Sequence, residues 1–257
     1  MTIMCADSVI GAFYDIKTKG VTTVKRLYFA FAATLFALTC AVTFVLHRNE
    51  YRAYSTAPLS AEAITCPAEA DKLMIVAHPD DETLWGGSHL LDGGWLVVCL
   101  THGSDSTRSA EFTEAVTASG NTPLMLDYPD KVNLRRDDWT QVSGGIEADI
   151  TTLLQYRDWQ SVATHNPAGE YGHIHHKLTS AIVTDAFSEH GTGDLYYFAD
   201  YHSARRLPEF ADSLTPLPED KLARKRELCG IYRSQERTVG KLAHMLPYEE
   251  WKEAELP

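Results

Sequence analysis

The stretch Leu73-Met74-Ile75-Val76-Ala77-His78-Pro79-Asp80-Asp81-Glu82 joins an unbroken apolar run to one imidazole and three carboxylates. Four apolar residues bounded by polar ones read as a strand buried on both faces, the habit of parallel sheets. The acidic cluster then lies at the carboxyl end of that strand, where open α/β sheets bind their ligands. Adjacent carboxylates repel one another and resist burial unless a cation or a proton offsets them, so a metal is their natural partner. An Asp-rich turn capping the following helix would explain part of the same pattern.

Outward from this stretch, apolar runs alternate with helical patterns. Residues 73–77, 95–100, 123–126, 161–164 and 195–198 read as short strands. Residues 83–91, stopped by Asp92-Gly93-Gly94, residues 109–118, stopped by Ser119-Gly120, and residues 146–155 read as helices. Strands separated by helices of this length imply βαβ units with right-handed crossovers. The expected fold is therefore α/β, a Rossmann-like three-layer sandwich with a mostly parallel sheet. No GxGxxG follows the first strand, so a dinucleotide site has no support.

Ahead of this domain, residues 27–46 form an uncharged, mostly apolar run of 20 residues. At about 1.5 Å per residue it is long enough to cross a bilayer, and longer than the roughly 7–15 residues of a signal-peptide core. The chain thus divides into an amino-terminal tail (1–26), a transmembrane anchor (27–46), a linker (47–70) and a soluble domain (71–257). Lys17, Lys19, Lys25 and Arg26 precede the run, against Arg48 and Arg52 behind it. The positive-inside rule then predicts a cytoplasmic amino terminus, with the domain on the opposite face of the membrane.

With 23 basic and 35 acidic residues the net charge is -12, which repels phosphate backbones, and no basic stripe appears, so no nucleic-acid partner is expected. Of the five cysteines only Cys66 and Cys229 are placed to pair, and no CxxC spacing suggests a cysteine-bound metal.

A second cluster repeats the logic of the first. Ser161-Val162-Ala163-Thr164 leads into His165-Asn166-Pro167-Ala168-Gly169-Glu170-Tyr171-Gly172-His173-Ile174-His175-His176, which holds four of the chain's 11 histidines. Neutral imidazole suits zinc, iron or nickel. If a helix starts near Ile174, His173 and His176 share one face, three residues apart, and His175 points elsewhere.

His78-Pro79-Asp80-Asp81-Glu82-Thr83 followed by Gly172-His173-Ile174-His175-His176 resembles the paired signature motifs of the LmbE/PIG-L family of zinc-dependent N-acetylglucosamine deacetylases. Weaker echoes are Arg108-Ser109-Ala110-Glu111, Tyr128-Pro129-Asp130 and Tyr232-Arg233-Ser234-Gln235. The resemblance implies that His78, Asp81 and His176 bind zinc, with iron(II) fitting the same ligands. It implies that Asp80 is the general base, that His173 and Tyr171 stabilise the oxyanion, and that Arg108 and Asp130 contact the sugar. One departure stands out, because the family usually has Asp where this chain has His175. Either another acid orients His173 or the charge state of that histidine differs.

Such a site matches what amide hydrolysis demands. Two imidazoles and one carboxylate leave a zinc ion an open position, and zinc lowers the pKa of water bound there to about 7. Asp80 can take the water proton and return it to the departing amine. Glu82 either orients His78 or caps the helix; Trp85 either packs in the core or lines the sugar site; Arg108 either meets substrate or pairs with Glu111. The expected function is removal of acetyl from an N-acetylated amino sugar, in a membrane-linked or envelope substrate. A metal-dependent phosphoesterase or glycosyltransferase is the alternative enzyme, although two-metal phosphoesterases need more ligands than these clusters supply. An inactive sugar-binding member of the same fold is the third reading.

Overall fold

A computed structural model describes Lys25, residues 28–46 and residues 58–256. The expectations for the rest of the tail, for most of the flanking charges and for linker residues 47–57 lie outside the described residues. The chain divides between Ala53 and Tyr54 into two units.

In the first unit, helix α1 (Tyr28–Leu46) has 19 residues and a mean hydropathy of 2.2. Its length of about 28 Å suits a membrane span, and a long signal sequence has the same dimensions. Thr34, Thr39 and Thr43 donate their hydroxyls to the carbonyls of Ala30, Leu35 and Thr39 at 2.8 Å, which hides their polar atoms against the helix itself.

In the second unit a six-stranded sheet forms the middle layer. Its elements in chain order are β1 (Lys72–Val76), α2 (Asp81–Leu90), β2 (Trp95–Thr101), α3 (Ser106–Ala118), β3 (Thr122–Tyr128), the small hairpin β4 (Lys131–Val132) and β5 (Arg135–Arg136), α4 (Ser143–Gln155), β6 (Ser161–Thr164), α5 (Ile174–His190), β7 (Asp194–Tyr197), α6 (Glu219–Cys229), α7 (Glu236–Leu242) and β8 (Lys252–Glu253). The spatial order is β3-β2-β1-β6-β7-β8. The first five strands run parallel, and β8 closes one edge antiparallel to β7.

The apolar runs of β1 and β2 explain their central place, since every residue from Leu73 to Val76 and from Leu96 to Leu100 is fully buried. Alternate residues serve opposite faces. Met74, Val76, Val97 and Cys99 pack with Leu84, Trp85, Phe112 and Leu222. That layer comes from α2, α3 and α6, while α4 and α5 pack together as a second pair. The strand order reverses between β1 and β6, which leaves a crevice at their carboxyl ends. Both ligand-rich loops open there.

Two expectations change in detail. Residues 58–70 do not hang free as a linker: the Arg157 guanidinium donates to the carbonyls of Pro67 at 3.0 Å and Ala70 at 2.5 Å, and Ile64 and Ala70 are buried. Cys66 and Cys229 are both free thiols rather than a pair.

Candidate active site

The first loop is held in an unusual backbone conformation. After β1 the chain turns so sharply that Asp80 has φ 108° and ψ -27°, a left-handed conformation rare for any residue with a Cβ. Local bonds enforce it. Asp80 N–H donates to Glu82 Oε2 at 3.2 Å, while the Asp80 carbonyl accepts from Leu84 N at 2.9 Å and Thr83 Oγ1 at 3.0 Å. Asp81 opens α2, and its Oδ2 accepts from His78 N at 2.9 Å.

The second loop is built around Glu170. Gly169 sits at φ 68°, and a Cβ there would lie 2.6 Å from the His173 carbonyl, so only glycine permits the fold-back. Glu170 then accepts from Asn166 N at 3.0 Å, His165 Nδ1 at 3.1 Å and His176 Nδ1 at 2.5 Å. Despite its burial, His165 and His176 hold its carboxyl down at about 2. His173 precedes α5, and its Nδ1 accepts from His175 N at 3.2 Å.

These partners fix which ring nitrogens carry protons. His176 gives its Nδ1–H to Glu170, so its Nε2 presents a lone pair; that atom is buried, has no hydrogen-bond partner and lies 3.3 Å from Asp81 Oδ2. His175 Nε2 lies 2.8 Å from the Asp137 carbonyl, which can only accept, so His175 Nδ1 is itself an acceptor. It sits 3.1 Å from His78 Nε2, which donates to it in the tautomer that leaves a lone pair on His78 Nδ1, although Arg136 Nη1 also lies 3.4 Å from that Nε2. His78 Nδ1 is 3.1 Å from the same Asp81 Oδ2. With these tautomers three acceptors, from His78, Asp81 and His176, converge. A proton on His176, whose pKa, against the effect of burial, is raised by Asp81, or a cation in its place offsets the Asp81 charge, and this N2O donor set could hold zinc or iron(II).

The charge environment separates the neighbouring acids. Burial, and then the charge of Asp81, push Asp80 well above the usual carboxylate range. Asp81 is held well below it where His176 and His165 carry a second proton, although burial opposes this; a cation at the same place has the same effect. The flanking carboxylates draw the His165 pKa up to about 9, against the opposing effect of its burial, yet Ala77 N–H points at its Nε2 from 3.0 Å. A second proton there would collide with that donor, so the ring is neutral. Burial, then His78 and His176, hold His173 down at about 2.

A cavity of about 180 Å³ opens beside the acceptor group. His78, Asp80, Asp81 and all four of Arg108, Asp130, Tyr171 and His173 line it, so the structure brings together every residue singled out from the motifs. His176 lies just behind them. Arg108 Nη2 donates to the Pro79 carbonyl at 2.6 Å and comes within 3.9 Å of Asp80 Oδ1. It does not pair with Glu111, whose carboxylate accepts from Ser234 N and Oγ. Asp130, in spite of burial, is held far below the carboxylate range by His102, His78 and its ion pair with Arg136.

One expectation is overturned and three open alternatives close. His175 does not point elsewhere: it is fully buried, stacks on Trp139 with ring centroids 4.2 Å apart and faces His78. Helical spacing could not anticipate this, because the segment after β5 supplies both Trp139 and Asp137. Among the described residues no acid pairs with His173; its Nδ1 accepts from His175 N and its pKa is held low, so the ring is neutral with its proton on Nε2. Glu82 does not touch His78; it caps the start of α2, accepting from the N–H of Asp80, and also accepts from Tyr232. Trp85 is core, with its ring nitrogen unpartnered.

Sequence reasoning also left His165, Glu170 and Tyr232 without roles. The signal for Glu170 was its place as the one acid in a His-rich loop.

The family profile described as "PIG-L: GlcNAc-PI de-N-acetylase" matches residues 73–187. "Uncharacterized protein L374" of Acanthamoeba polyphaga mimivirus is 31% identical over 190 residues, which covers 67% of this chain and 75% of that protein.

Proposed function

The chain belongs to the PIG-L family, and on that premise we propose that it is a metal-dependent amidohydrolase that removes the acetyl group from an N-acetylated amino sugar. The observation that carries this reading is the convergence of His78 Nδ1, Asp81 Oδ2 and His176 Nε2 beside a solvent-reaching cavity. Those three residues are the ligands, for zinc or for iron(II). When bound, the ion supplies Lewis acidity and an activated water.

The remaining steps fall to the chain's own groups. Asp80, whose burial raises its proton affinity, takes the proton of the attacking water and delivers it to the departing nitrogen. His173 is a neutral donor through Nε2–H, and Tyr171, whose hydroxyl stays protonated because burial raises its pKa, donates beside it. Both serve the developing oxyanion. Arg108 and Asp130, on the cavity wall, hold sugar hydroxyls. Helix α1 tethers the enzyme to a membrane, with a cytoplasmic amino terminus and the catalytic unit on the opposite face, so the substrate is a membrane-linked or envelope amino-sugar conjugate.

The test uses the full chain in detergent, stripped by chelator and reloaded with zinc or iron(II), on a panel of N-acetylglucosamine conjugates. Metal-dependent release of acetate with an equal amount of free amine is expected. Tight zinc binding with no acetate from any member of the panel would leave a sugar-binding protein instead. Phosphate release without acetate would favour the phosphoesterase.

A further inference from the structure

The hairpin of β4 and β5 ends in a turn that folding alone does not explain. Asn133 and Leu134 occupy it with φ 52° and 63°, the paired left-handed conformation of a two-residue hairpin turn. The second position of such a turn favours glycine, because a Cβ is strained there. Here it holds leucine, with 97% of its surface exposed. The residue therefore gains nothing from burial and strains the backbone as well.

Its surroundings are as particular. Among the described residues of the second unit, the exposed large apolar side chains are Leu134, Tyr171 (42%), Ile174 (43%) and Leu256. Tyr171 lines the candidate active site, while Leu134 and Ile174 belong to the two segments, the hairpin and the start of α5, whose neighbouring residues line it. Those of the hairpin are Lys131 and Arg136. Ile174 precedes His175, whose ring meets the Asp137 carbonyl next to Arg136. The hairpin itself carries Lys131, Arg135 and Arg136, all exposed, and no acid, in a chain of net charge -12. Asp130 pairs with Arg136, and the exposed Asp138 beyond the hairpin accepts from Thr140 N. Arg135, and Lys131 at the rim of the cavity, remain as exposed charges on either side of Leu134.

We propose that this rim docks on an anionic lipid surface, with Leu134 inserted among acyl chains and Lys131 and Arg135 against the headgroups. An exposed aliphatic tip flanked by cations fits that interface, where apolar burial and charge attraction add. The cavity then opens at the bilayer surface, and substrates reach it from the lipid plane. Docking concerns the rim and does not depend on the reaction assigned to the cavity.

The test reconstitutes the full chain in vesicles of phosphatidylcholine, with or without phosphatidylglycerol, using a brominated phosphatidylcholine as depth quencher. Leu134→Trp adds a reporter at the tip, and Leu256→Trp adds one to the exposed residue away from the mouth. The added emission of Leu134→Trp is expected to be blue-shifted and quenched in the anionic vesicles, while that of Leu256→Trp is not. Arg135→Glu in the reporter background removes one basic residue and adds an acid, so it should weaken tip contact by more than the roughly fivefold that one basic residue contributes. Equal, unquenched emission from both reporters overturns the proposal, as does quenching that ignores both phosphatidylglycerol and Arg135→Glu. Leu134→Asp is expected to leave acetate release from a water-soluble N-acetylamino sugar unchanged. A chain that shows quenching but releases no acetate would refute the proposed reaction and leave the docking intact.

Discussion

Tyr232 and Glu82, 150 residues apart, meet in a hydrogen bond in which the phenol donates to a fully buried carboxylate. The other oxygen of that carboxylate holds the N–H of Asp80 in its left-handed turn. The carboxyl-terminal part of the domain thus braces the backbone of the residue assigned as general base. Burial raises Glu82 to about 7, with Tyr232 pulling the other way. Tyr232→Phe removes that donor and should cost about 1–3 kcal/mol of stability. Because Asp80 is loosened and the cavity wall is kept, kcat should fall about 10- to 100-fold with KM little changed. Denaturant unfolding and steady-state kinetics read the two effects separately, and a rise in KM alone would refute the bracing role.

Asp80 and Asp81 are neighbours with opposite electrostatics, and substitution should separate their work. Asp80→Asn is expected to keep the metal and lose about 10²–10⁴ in turnover, the usual share of general acid-base catalysis. His176→Ala should lose both metal and turnover. Metal content by mass spectrometry beside acetate release decides between them, and equal metal loss in both variants would contradict the division.

His175 fixes the tautomer of His78 by accepting from its Nε2 while donating to Asp137. His175→Ala leaves His78 free to turn or to move its proton to Nδ1. Metal affinity should fall about 10- to 100-fold, the usual effect of losing a partner behind a ligand. Competition with a chromophoric chelator measures it. Glu170→Gln, which weakens the same kind of support behind His176, should do likewise.

How far the sequence revealed all this depends on the range of each interaction. β1, β2 and β6 were legible because strands buried on both faces write themselves as apolar runs. β3 runs two residues further than expected, to Tyr128, because an edge strand tolerates Pro123 near its start and the polar Asp127 near its end. The hairpin and β8, of two residues each, are too short to leave a period. Within the site, motif residues were legible because their chemistry is local to two strand ends. His175 was misread and Glu82 left open because Trp139, Asp137 and Tyr232, distant in sequence, decide where they point.

A last prediction concerns stability away from the cavity. Glu249 is buried against the carboxyl-terminal half of α2, where its carboxylate accepts from Ser88 N and Oγ, His89 N and Nδ1, and the fully buried Lys225 Nζ at 2.6 Å. Burial alone would raise its pKa, but Lys225 and then His89 hold it down at about 2. A carboxyl depressed on folding binds its proton more readily in the unfolded chain, so it adds stability above the unfolded value of 4.5, and that stability fades as pH falls towards 2. Acid unfolding should therefore steepen below about pH 4.5, in the range where the unfolded chain takes up the proton first. Glu249→Gln should flatten that slope. It should also destabilise the protein at neutral pH by about 3–5 kcal/mol, because Lys225 is left as an uncompensated buried charge. The double variant Glu249→Gln with Lys225→Met should recover much of the loss, since it removes both charges. Chemical denaturation of the three proteins between pH 3 and 7 tests this, and a slope unchanged by Glu249→Gln would assign the acid sensitivity to another group.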